Sequence, residues 1–167
     1  MLLKDYIPYV PKRFYQMNFS GIAFDSLKVK KNDIFFAIKG KKFDGNNFIS
    51  HAIKKGAKVI ISAKKNQKKN SDVIFLYSSK PRKLLAEVSY KIYYKRIKKL
   101  VAVTGTNGKS SIADFYFQIL KLNSKRVASI GTLGLKYKSK IKNLKNTTSD
   151  PIQIGSMLED LKTKKIE

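Results

Sequence analysis

Eight residues, Thr104-Gly105-Thr106-Asn107-Gly108-Lys109-Ser110-Ser111, constrain this chain more than any other segment. An apolar run, Leu100 to Val103, precedes them, and Ile112, Phe115, Tyr116, Ile119 and Leu120 follow at helical spacing. Strand, glycine loop, helix is the order of a phosphate-binding turn. Glycine lets the backbone take positive φ and approach phosphate oxygens closely. The N–H groups of the loop and helix N-terminus, with the helix dipole, then attract the anion. Gly105, Thr106, Asn107, Gly108, Lys109, Ser110 and Ser111 are therefore the expected contacts of a nucleotide's phosphates. Lys109 is the candidate catalytic residue, reaching the outer phosphates, and the Ser110 hydroxyl is the candidate ligand of Mg²⁺. The longer form of the motif places glycine at position 103, where this chain has Val103. The competing reading, a solvent-facing glycine turn, does not account for the strand–loop–helix context. The loop alone does not name a reaction, because such loops serve kinases, GTPases, motors and ligases alike.

The rest of the chain alternates in the same way. Two short strands are expected between Ser20 and Ile38, the second from Ile34 to Ile38. A turn at Gly45 leads to a helix carrying Phe48, Ile49, Ala52 and Ile53, stopped at Gly56. Ala57 to Ser62 is a strand, Lys64 to Asp72 a solvated loop, and Val73 to Tyr77 another strand. Pro81 opens a helix with Leu84, Leu85, Val88 and Ile92 on one face. Val127 to Ile130 is a further strand, and Pro151 starts a last helix. Strands alternating with helices imply an α/β fold with largely parallel sheets. The basic stretch Tyr94 to Lys99 is the expected hinge. It divides the chain into a small N-terminal α/β domain, 1–97, and the start of a mostly parallel, P-loop ATPase domain, 98–167. No internal repeat is visible.

Composition narrows the class. The net charge is +25, with 36 Lys and Arg against 11 Asp and Glu. Arg occurs only at positions 13, 82, 96 and 126, and the lysines are spread along the chain rather than gathered in one arm. Nucleic-acid readers lean on the planar fork of Arg, so the charge is read as lysine bias, not as a nucleic-acid site, although it would attract an anionic substrate. Cysteine is absent, which excludes disulfides, thiolate zinc sites and a cysteine nucleophile. No segment has the length and apolarity of a signal peptide or a membrane span, and the expected setting is a soluble, cytoplasmic monomer. With a single histidine, His51, and no Cys, a histidine metal site is not expected; His51 is read as a surface or half-buried residue of its helix.

Three further segments carry a resemblance. The loop TGTNGKSS resembles the ATP loop of the Mur ligases. The run DSLKVKKNDIFFAIKGKKFDGNNFISHAIKKGA from Asp25 is similar to the N-terminal pattern of that family, DSRxVxxGDxFxAxxGxxxDGxxFxxxAxxxGA. Gly131-Thr132-Leu133-Gly134 and Asn146-Thr147-Thr148-Ser149-Asp150-Pro151 resemble segments of its tripeptide synthetase (MurE-type) branch. The likeness runs from about Ser20 onwards, with the blocks in the family's order and spacing.

The resemblance implies an ATP-dependent ligase of peptidoglycan precursor synthesis. ATP would phosphorylate the D-glutamyl carboxylate of UDP-MurNAc-L-Ala-D-Glu, and the amine of a third amino acid, diaminopimelate or lysine, would attack the acyl phosphate. It implies that Phe24, Ser26 and the loop Lys41-Lys42-Phe43 contact UDP, and that Asn146, Thr147 and Thr148 hold the muramoyl peptide. It also implies that the remaining Mg²⁺ ligands and the domain that selects the amino acid lie outside this chain, so that the chain alone should not catalyse the reaction. The sequence departs from the family at Leu27, where Arg is usual, at Lys31-Asn32 and at Ser149. Leu27 puts in doubt any contact made by that guanidinium. Two other readings compete: the ligase of the same family that adds D-Ala-D-Ala to the UDP-MurNAc-tripeptide, and a non-enzymatic basic nucleotide- or nucleic-acid-binding module. A third possibility is a poorly folded piece whose central sheet lacks strands to cover its edge.

Overall fold

The structure, a computed structural model, describes residues 1–65, 72–93, 98–144 and 149–166. Contacts divide the chain into two units, Met1–Ile92 and Tyr93–Glu167. Most of the expected hinge, residues 94–97, lies outside the described residues, as does much of the expected loop, residues 66–71. Among the described residues no helix is long and apolar enough to cross a membrane.

The first unit is built on four parallel strands in spatial order β1-β2-β3-β4: β1 (Ile22–Ala23), β2 (Ile34–Ala37), β3 (Val59–Ser62) and β4 (Ile74–Tyr77). Phe35 pairs with Ile60 and Phe36 with Ile61 across the central ladder. All four residues of β2 and of β3 are buried. Continuous apolar runs of this kind suit inner strands of a parallel sheet, which are covered on both faces. Helix α2 (Ile49–Lys54) connects β2 to β3 and packs Ala52 against Phe35, Ala37 and Ile60. Gly56, at φ +104°, ends it, and a Cβ there would stand 2.9 Å from the Lys31 backbone. Helix α3 (Pro81–Ile92) buries Leu84, Leu85 and Val88 and lies against β2 and the short N-terminal helix α1 (Leu3–Tyr6). Asp33 is buried just before β2, where it accepts the Lys30 N–H at 2.8 Å. Burial pushes its carboxyl above the ordinary value, partly offset by that N–H and by the Lys30 charge.

The second unit contains α4 (Lys109–Leu122), β5 (Ala128–Gly131), β6 (Gly134–Tyr137), β7 (Lys140–Lys142) and α5 (Pro151–Thr163). The three strands form an antiparallel meander. Two-residue turns join them, a connection that only antiparallel neighbours allow. Leu135, Leu161 and Ile166 form a small core with Ile130, Tyr137 and Met157 around it. Pro151 occupies the first turn of α5 and the Asp150 side chain accepts the Gln153 N–H at 2.9 Å, the capped start expected there.

Two expectations change in this unit. Leu100 to Val103 joins no sheet, and Leu100 and Val101 are 72% and 61% exposed. A strand of that kind is held by ladders on its flanks, and no described segment pairs with it. The parallel character expected of the ATPase domain is likewise found in the first unit, while the described strands of the second pair antiparallel. The matching face of α4 is also uncovered: Ile112, Phe115, Tyr116, Ile119 and Leu122 are all exposed.

Candidate functional site

In a parallel sheet the carboxyl ends of all strands open on one edge, where ligands bind in α/β folds. In the first unit that edge carries the turn after β1, with Phe24, Asp25 and Ser26, and the loop after β2, with Lys41, Lys42 and Phe43. β1 and β2 are neighbours, so the two expected UDP-contacting segments follow adjacent strands. Asp25 caps the turn Ser26–Lys28 by accepting the Leu27 N–H at 3.0 Å. Ser26 is only 7% exposed, and its Oγ stands 3.0 Å from Nδ1 of His51 on α2. Leu27, where the family has Arg, points to solvent at 72% exposure.

The loop after β2 is held at its base and free at its tip. The Gly40 N–H donates to the Phe43 carbonyl at 2.8 Å, and the backbones of Lys39 and Asp44 pair as an antiparallel β-bridge. Lys41, Lys42 and Phe43 at the tip are exposed. Gly45 is required behind them: a Cβ there would lie 2.7 Å from the Ile38 backbone. Asp44 accepts the Asn46 N–H at 2.9 Å and its amide at 2.6 Å, and pairs with Lys64 at 3.2 Å. The Asn46 contacts, then Lys64, hold the Asp44 carboxyl down to about 2. Buried Ser62, at the end of β3, donates to Asn46 Oδ1 at 2.6 Å and accepts the Lys64 N–H at 2.9 Å. One hydrogen-bonded network thus ties the loops after β2 and β3 together.

In the second unit the glycine loop runs straight into α4. Gly105 and Gly108 have φ of +145° and +73°. Gly108 is the N-cap residue, and no side chain caps the helix, so its first N–H groups are offered to a ligand. Thr104 to Ser111 are exposed throughout. Lys109 folds back over the loop and donates from Nζ to the carbonyls of Gly105 (2.6 Å) and Thr106 (2.9 Å). The Ser110 hydroxyl lies 2.9 Å from that of Thr132, in the turn between β5 and β6. Nearby, Asp114 on α4 pairs with Lys136 on β6 at 2.5 Å and accepts the Gln118 amide, which together lower its carboxyl.

The structure therefore places the expected residues in two groups, one per unit. Asn146, Thr147 and Thr148, expected at the muramoyl peptide, lie outside the described residues. Two participants were not singled out from the sequence as site residues. Thr132 had a signal, its place in the Gly-Thr-Leu-Gly segment. His51 had none, because its contact with Ser26 spans 25 positions. Among the described residues no three His, Cys, Asp or Glu side chains converge on a possible metal site. The oxygen donors on hand for a hard cation are the Ser110 and Thr132 hydroxyls, which suit Mg²⁺ only in company with phosphate and water.

Two family models match successive stretches of the chain. Residues 18–102 match the Mur ligase family, catalytic domain, and residues 103–167 the Mur ligase middle domain. A UDP-N-acetylmuramoyl-L-alanyl-D-glutamate–2,6-diaminopimelate ligase of Buchnera aphidicola subsp. Schizaphis graminum is 40% identical over 161 residues, 90% of this chain and 32% of that protein. The Rickettsia rickettsii protein of the same name is 44% identical over 122 residues, 73% of this chain and 25% of that protein. A solved structure of a ligase so named superposes with a TM-score of 0.78 at 21% identity, over 99% of this chain and 34% of that one. The chain thus spans about a third or less of the length of these relatives. The two matched profiles follow one another along the chain without a gap, in the order of the two sites, and together they leave one conclusion: the chain belongs to the Mur ligase family.

Proposed function

We propose that this chain supplies the uridine-nucleotide-binding unit and the ATP loop of a ligase that adds diaminopimelate to UDP-MurNAc-L-Ala-D-Glu. The observation that carries the reading is the Ser110–Thr132 contact. It joins two segments that resemble the family, the glycine loop and Gly131 to Gly134, into one oxygen-lined corner at the uncapped start of α4. In this reading the N–H groups of Gly105 to Ser111 hold the phosphates of ATP, and Lys109 leaves its carbonyl partners to meet the outer ones. Ser110, with Thr132 beside it, would hold Mg²⁺, which supplies charge neutralisation when bound. Phosphoryl transfer to the glutamyl carboxylate asks little covalent chemistry of the protein; positioning and neutralisation suffice.

The diaminopimelate assignment follows the relatives, whose names specify it rather than lysine or D-Ala-D-Ala as the group added. At the edge of the first sheet, the Ser26 hydroxyl suits uracil or ribose, exposed Phe43 suits stacking, and Lys41 and Lys42 suit the diphosphate. The +25 charge strengthens attraction of so anionic a substrate. Asn146 to Thr148 would meet the muramoyl peptide. In this reading catalysis takes place in the cytoplasm, by a monomer.

The test is calorimetric titration of UDP-MurNAc-L-Ala-D-Glu into the wild-type chain and Ser26→Ala. Saturable binding, on the order of 0.1–1 mM, weakened by the substitution, supports the reading. No binding, together with tight and strongly salt-dependent binding of random DNA, would replace it with a nucleic-acid module.

A further inference from the structure

His51 is the chain's single histidine. It sits half-buried on α2, which is anchored to the sheet through fully buried Ala52 and lies against the turn Ser26–Lys28. Its Nδ1 is 3.0 Å from Ser26 Oγ. The neighbouring Asp25 is committed elsewhere, to the Leu27 N–H. A serine hydroxyl carries one proton and two acceptor lone pairs, and left alone it rotates among its staggered positions. A fixed ring nitrogen at this distance removes that freedom.

We propose that His51 is a positioning residue for nucleotide binding: its Nδ1 accepts the Ser26 proton and so turns the Oγ lone pairs outward as an acceptor for a donor group of a uridine nucleotide. The donor is the imide N–H of uracil or a ribose hydroxyl, either of which matches an oriented acceptor. The inference rests on the reading of the carboxyl edge as the nucleotide site. The arrangement requires the ring proton on Nε2, the tautomer in which Nδ1 accepts. Its benefit is pre-organisation, because a hydroxyl already oriented loses no rotational freedom when the ligand arrives. The helix thus contributes to the site without touching the ligand itself.

The test uses UDP as probe on the 167-residue chain, with calorimetry and ¹H–¹⁵N spectroscopy of the histidine ring. With one histidine in the chain, the ring signals assign themselves. UDP should move the ring nitrogen signals of the wild type and leave them unmoved in Ser26→Ala. His51→Ala should weaken UDP binding about 3- to 10-fold. His51→Asn, whose amide reaches the place of Nδ1, should restore it to within about twofold of wild type. In a Ser26→Ala background, His51→Ala should cost nothing further, whereas a purely structural role would show its full cost there. Ser50→Ala, on the exposed side of α2, should bind as wild type does. Unchanged affinity in His51→Ala, equal loss in His51→Ala and His51→Asn, or ring signals indifferent to bound UDP would each overturn the proposal while leaving the nucleotide site intact. A wild-type chain that does not bind UDP would overturn both together, and the calorimetric titration of the wild type tells the two failures apart.

Discussion

Gly131 and Gly134 flank Thr132, and the structure treats them very differently. At Gly131 an added Cβ would meet nothing within 4 Å. At Gly134, with φ of +91°, it would stand 2.6 Å from the carbonyl oxygen of Lys142, in the strand paired with it. Alanine at 134 therefore carries a backbone penalty of about 1–2 kcal/mol for the left-handed conformation. To reach an ordinary contact of 3.4 Å the strands must also part by about 0.8 Å. That sacrifices one or two ladder hydrogen bonds at about 0.5–1.5 kcal/mol each. Gly134→Ala should cost about 2–4 kcal/mol in all, and Gly131→Ala less than about 0.5 kcal/mol. Native-state hydrogen exchange reads this locally: protection of the β6 amides should fall roughly 30- to 700-fold in Gly134→Ala and stay near wild type in Gly131→Ala. Displacing this turn also moves Thr132 from Ser110, so MgATP affinity should fall with it. Equal exchange protection in the two variants would refute the close approach, and with it the account of why this segment ends in glycine.

Two more outcomes follow from the sites. Lys109→Ala removes the cation that closes over Gly105 and Thr106 and that is proposed to meet the outer phosphates; calorimetry should show MgATP affinity about 10-fold lower or worse, with inorganic phosphate affected in the same direction. Asp44, whose carboxyl is held down from 3.8 to about 2 chiefly by Asn46, stabilises the folded chain above the ordinary value and loses that contribution as pH falls toward about 2. Asp44→Asn should flatten the decline of the urea midpoint across that window, and an unchanged acid limb would show that the Asn46 and Lys64 contacts do not persist in solution.

Local chemistry was legible in the sequence, and long-range pairing was not. The runs Ile34 to Ile38 and Ala57 to Ser62 announced strands, found at Ile34–Ala37 and Val59–Ser62, Gly56 and Pro151 marked helix ends, and the glycine loop announced its helix. Each of these signals lies within a few residues of its effect. The contacts that build the sites span 22 positions for Ser110 and Thr132 and 25 for Ser26 and His51, and nothing local encodes them. Leu100 to Val103 failed in the opposite direction: its apolar run has the composition of a buried strand, but a strand is defined by neighbours, and no described segment supplies them.

The uncovered stripe of α4 bears on how such a chain is made. The described strands of the first sheet all lie before position 78, and the helix that covers it ends at position 92, so they leave the ribosome ahead of the second half. That half can close early and stay closed while synthesis continues. The second half emerges with Phe115, Ile119 and Leu122 facing water. Chaperones and proteases compete for such a surface, and the time it spends bare decides which of them meets it first.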